Sequence, residues 1–156
     1  MMFSRLGAFL VFSLVVNLAS ADSSVISLGD PCDKAADPLM TVTSAWPEIY
    51  QAAADLPAGC FDGAWAEGIS DTIVRKMGDD WSGFLRMLVA HPHNEKFFSL
   101  VLDSINATLD EEDIQAINKL AATSCPLELS QRCAAITKRA KEALADYDPP
   151  ISPTSP

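Results

Sequence analysis

The chain has 156 residues, with 21 acids against 11 bases and a formal net charge of −10. Apolar residues make up 49% and charged ones 21%, a globular composition that argues against a disordered acidic chain. The length suits one domain. The charge argues against a nucleic-acid partner, because a phosphate-backbone binder needs a basic face to release counterions.

The first residues read as an export signal. Arg5 supplies the positive start, and Leu6 to Val16 is apolar except for Ser13. Ala19-Ser20-Ala21 then offers small side chains for cleavage after Ala21. The apolar run is shorter than the roughly 20 residues a spanning helix needs. The expectation is therefore a cleaved signal at 1–21, a secreted or periplasmic product, and no stable membrane association afterwards.

Residues 22–37 are polar and read as irregular, with a turn at Gly29-Asp30-Pro31. A helical domain is expected over 38–147. It begins with a short helix over 38–45 and a second over 47–55, with Pro47 at its first position. Phe61, Trp65, Ile69, Ile73 and Met77 mark a helix over 61–77, and Gly78 suits a left-handed cap just past its end. Asp79 suits the N-cap of a helix over 80–90, with Trp81, Phe84, Leu85 and Leu88 apolar. Pro92 pushes His91 out of helical geometry. A helix over 94–106 follows.

Thr108-Leu109-Asp110-Glu111 has the form of a capping box opening a helix to about Ala122. Pro126 opens a last helix over 126–145. The Pro-rich stretch 148–156 reads as a disordered tail. No period-two alternation and no hairpin signal survive. The fold expected is all-α: a small irregular bundle of five to six helices, stapled by two disulfides.

Those disulfides would use Cys32, Cys60, Cys125 and Cys133, an even count in an exported small domain. If one helix carried both Cys125 and Cys133, its rise would part them by about 12 Å. A bridge needs Cα atoms within about 7 Å. The expectation is that each pairs with Cys32 or Cys60, at roughly 3–4 kcal/mol per bridge. No CxxC or finger spacing suggests zinc, and neither a metal nor another cofactor is expected.

Several constellations bear on chemistry. His91-Pro92-His93 with Glu95 is a weak metal candidate. Glu67 and Asp71 are four apart on one helix face, the spacing of a paired-carboxylate acid/base site. Arg75, four residues further on, offers Asp71 a plain ion pair. Asp110, Glu111, Glu112 and Asp113 lack the alternation and glycine of a calcium loop. They suit a first helical turn that is also an acidic patch. Asn106-Ala107-Thr108 is an N-glycosylation acceptor if the source is eukaryotic. Trp65 and Trp81 lie on core stripes, whereas Trp46, before Pro47, suits an exposed binding anchor. No GxSxG, HExxH or phosphate-binding glycine loop is present.

Charge is uneven. Residues 61–124 hold 11 acids against 5 bases, and 126–147 hold four bases against three acids. With no catalytic motif, the reading is a small exported non-enzymatic binding module. Trp46 and the acidic run 110–113 are its candidate contacts, and a protein with a basic surface is its partner. An immunity or inhibitor protein, or a secreted effector, would fit. The alternatives are a metal or small-molecule carrier with a pocket lined by Trp65, Trp81, Phe84 and Phe97, or an enzyme using His91 and His93 with Glu67 and Asp71.

Overall fold

A computed structural model describes residues 31–147. The signal expected over 1–21 and the tail expected over 148–156 lie outside them. Among the described residues there are seven α-helices, two 3-10 turns and no strand. The helices are α1 (Pro31–Ala36), α2 (Trp46–Asp55), α3 (Gly63–Asp79), α4 (Trp81–Ala90), α5 (Glu95–Ser104), α6 (Glu111–Thr123) and α7 (Ser130–Ala145). The protein is a small all-α bundle with two disulfides, Cys32–Cys60 and Cys125–Cys133.

The stretch read as irregular therefore contains a helix, α1, followed by a 3-10 turn over Asp37–Leu39. The short helix expected over 38–45 does not form. Thr41, Val42 and Thr43 follow the turn, and β-branched side chains lose χ1 freedom in a helix. The Thr41 hydroxyl instead donates to the Asp37 carbonyl at 2.8 Å. At the start of α2, the Glu48 carboxylate accepts from the Ala45 amide at 2.9 Å, so Glu48 caps the helix from inside.

α3 is the spine of the bundle. It packs on α5 and α6, and α6 packs on α7. Ile69, Ile73, Val74 and Met77 on α3 are fully buried, as are Val101 on α5, Ile114 and Ile117 on α6, and Ile136 on α7. Burying each such side chain stabilises by about 1.5–3 kcal/mol. The 3.6-residue stripes therefore decide the architecture.

The junction of α3 and α4 differs from the expectation by one residue and one device. Gly78 lies inside α3, without positive φ. Asp80, not Asp79, caps α4, and its Oδ1 accepts from the Gly83 amide at 2.9 Å. The Asp80 amide meanwhile donates to the Lys76 carbonyl at 2.9 Å, closing α3. An added Cβ at Gly83 would collide with the Asp80 carboxylate, so a substitution there has to displace the cap.

The disulfide pairing corrects the sequence expectation. The premise of one continuous helix fails between Cys125 and Cys133. The chain turns at Pro126, passes through a 3-10 turn over Leu127–Leu129, and enters α7 only at Ser130. That detour brings the two Cα atoms to 6.2 Å, within bridging range. Cys60 is consequently left to pair with Cys32.

The capping box expected at Thr108 is absent as well. α6 starts at Glu111 with Asp110 at its N-cap. The Thr108 hydroxyl donates to Asn106 Oδ1 at 2.5 Å instead. Asp110 makes no side-chain cap bond, because its carboxylate turns toward Arg75.

Candidate functional site

Arg75 on α3 gathers carboxylates from two segments. Its Nε lies 2.9 Å from Asp71 and 3.6 Å from Asp113, and its Nη2 lies 3.6 Å from Asp110. Glu67, Asp71, Arg75, Thr108, Leu109 and Asp110 line a shallow concavity of about 440 Å³. One guanidinium thus stands among four acids. Exposed ion pairs contribute only about 0–1 kcal/mol each, so Arg75 acts here mainly by placement. It holds the N-terminus of α6 against the middle of α3 and leaves the face net negative.

Glu67 and Asp71, read as a separate pair, therefore belong to the same surface as the run Asp110 to Asp113. Glu111 and Glu112 are exposed in the first turn of α6, where negative charge favours the helix dipole. Glu111 also accepts from Gln115 at 2.7 Å. The part that spacing missed is the through-space one. Asp71 to Arg75 is an i,i+4 step, but Arg75 to Asp110 and Asp113 requires the α3–α6 packing.

Tyr147, just past α7, donates its hydroxyl to the Leu109 carbonyl beside this face. Burial raises its pKa, and the Asp110 and Glu111 carboxylates raise it further. The neutral phenol is thus favoured in the folded protein. The stability this confers is fully present below the ordinary value of 10.0 and is lost as pH rises through the raised one. Tyr147→Phe is expected to weaken the loss of stability above pH 10. Thermal melts of both proteins from pH 8 to 11 check it, and identical alkaline slopes would contradict it.

The histidines occupy another corner. His91 closes α4, its amide donating to the Met87 carbonyl at 3.0 Å. Its ring stacks on Tyr50 of α2 with centroids 4.0 Å apart. Glu95 lines the same concavity as His91 and His93, but its carboxylate is taken by Arg132 of α7 at 2.8 Å. Among the described residues no three His, Cys, Asp or Glu side chains converge to hold a metal ion. Glu67 and Asp71 line a different concavity from His91 and His93, so the residues of the enzymatic alternative do not form one site.

Trp46 is not an exposed anchor. It is 4% exposed and opens α2. Its indole N–H donates to the Asp80 carbonyl at 3.2 Å, and its ring lies 5.3 Å from Phe84. Trp81, Phe84 and Phe97, proposed as walls of an apolar pocket, are core residues. Trp65 is half-buried against the core. Asn106 is half-buried too, and closes the α5–α6 turn. Its Nδ2 faces the Ser70 hydroxyl and the Asp103 and Ser104 carbonyls, and its Oδ1 accepts from the Thr108 amide at 3.0 Å. The sequon nitrogen is thus turned toward the protein.

Comparison with protein-family models, with curated proteins and with solved structures returns no match for this chain. Its class is set by its own features: a disulfide-bridged all-α domain with one clustered acidic face. Among the described residues no helix is long and apolar enough to cross a membrane.

Proposed function

We propose that this protein is a small exported, non-enzymatic binding module whose acidic face engages a basic surface on a partner protein. The observation that carries this reading is the Arg75 cluster. It draws Asp71 of α3 together with Asp110 and Asp113 at the head of α6. A face of one sign steers a partner of the other and fixes its register.

Export is part of the proposal. The signal read over 1–21 supports it, and so do two disulfides, which persist in oxidising compartments. An immunity or inhibitor role against a basic toxin or hydrolase fits a periplasmic setting. A secreted effector fits a eukaryotic microbe.

The test is capture with tagged chain from Asp22 to Pro156, using the native exported fraction at low and high salt. The expected result is one roughly stoichiometric basic partner that salt releases. Glu111→Lys with Glu112→Lys should then weaken binding about tenfold or more, chiefly through slower association. Undiminished binding of that double variant would remove the acidic face from the interface.

A further inference from the structure

We propose that the concavity between the end of α4 and the start of α5 binds a small oxyanion, a phosphate or a carboxylate group. It has a volume of about 600 Å³ and opens to solvent between Tyr50, His91, His93, Asn94 and Lys96. Both histidines of this acidic chain line it.

The polar groups here are donors left in excess. Tyr50 accepts from Asn94 Nδ2 at 2.7 Å, which leaves the phenolic proton to donate. The Asn94 amide oxygen is already used, accepting from the Phe97 amide at 3.0 Å. His91 is fixed by face-to-face stacking on Tyr50, a contact that occupies the ring faces and not the two nitrogens. His93 is exposed on the same loop. Lys96 donates to the Ala54 and Leu56 carbonyls at 2.6 and 3.2 Å, and an ammonium has three protons.

The lining carries one carboxylate, which is compensated, and one ammonium. Glu95 is the one carboxylate lining the concavity, and Arg132 holds it at 2.8 Å. Arg132 is itself locked, donating to the Pro92 carbonyl at 2.6 Å with its guanidinium 4.3 Å from the Phe98 ring centroid. Among the described residues Lys96 makes no salt bridge, and its partners are the two carbonyls. A bare metal ion fits poorly, since only two imidazoles and no free carboxylate are offered.

The probes are phosphate, acetate and sulfate, titrated into the full chain against chloride at matched ionic strength. The readout is the ring-proton NMR signals of His91 and His93. Saturable movement of both signals is expected with an oxyanion and not with chloride. Stronger binding of phosphate than acetate assigns the phosphate class, and the reverse order assigns the carboxylate class.

His93→Ala removes a side chain on the exposed loop, and Tyr50→Phe keeps the stacking ring while deleting the donor. Each should weaken binding about threefold or more. An equal response to chloride, or affinities unchanged in both variants, overturns the site.

Discussion

Replacing Cys32 and Cys60 together by alanine is expected to cost about 3.5 kcal/mol of stability, against about 2.5 kcal/mol for Cys125 with Cys133. The order follows from sequence separations of 28 and 8 residues. The longer loop removes more conformational freedom from the unfolded chain. Native packing reinforces that order. α1 is six residues long, too short to persist alone, and Cys60 lies in the connection after α2. The Cys125–Cys133 loop has other ties. Leu129 is 5% exposed, and the Trp81 indole donates to the Ser124 carbonyl at 3.0 Å.

Urea unfolding of the two double variants measures the difference. Hydrogen exchange should also show α1 opening first when Cys32 and Cys60 are lost. If the short bridge proved the costlier to lose, native-state packing around the α6–α7 turn would outweigh loop closure.

The same region shows what a sequence can and cannot carry. The stripes Ile69-Ile73-Met77 and Ile114-Ile117 are local and periodic, so α3 and α6 were legible to within three residues at either end. The Cys125–Cys133 pairing was not. It depends on Pro126 and the 3-10 turn delaying α7 by a few residues, and boundaries are the weakest part of any periodicity argument.

Trp46 failed for a related reason. Pro47 marks a helix start wherever it stands, but only the arrival of the Asp80 carbonyl, 34 residues on, makes a buried place for the indole. At Thr108 the capping pattern was present, yet a competing local bond to Asn106 took the hydroxyl. The acidic run was legible as charge. Its meeting with Asp71 was not, because Arg75 reaches Asp110 and Asp113 only after α3 and α6 have packed.

Phe84→Ala should be the most damaging single substitution in the core, at about 4 kcal/mol within the usual range of roughly 3–5 for such truncations. Phe84 is fully buried between two indoles, each with its ring centroid 5.3 Å away and tilted, Trp46 at 47° and Trp81 at 43°. How far a cavity collapses sets its cost, and here collapse is opposed. Trp46 is held by its bond to the Asp80 carbonyl and Trp81 by its bond to the Ser124 carbonyl. Neither ring can fill the void without leaving a buried N–H unpaired, which costs about 1–3 kcal/mol.

The substitution should therefore destabilise α2, α4 and the α6–α7 turn together, and tryptophan emission should change in the folded state. Leu127→Ala is the matched control. Leu127 is 88% exposed, so its loss should stay within about 0.5 kcal/mol. Chemical denaturation of both, followed by fluorescence and circular dichroism, gives the comparison. A Phe84→Ala cost near 1 kcal/mol would mean that the indoles do rotate inward, and that their hydrogen bonds do not fix the core. The acidic face stands on α3 and α6, away from this aromatic cluster. Below the unfolding transition, Phe84→Ala should leave the proposed partner binding through Glu111 and Glu112 unchanged, which would separate the determinants of stability from those of recognition.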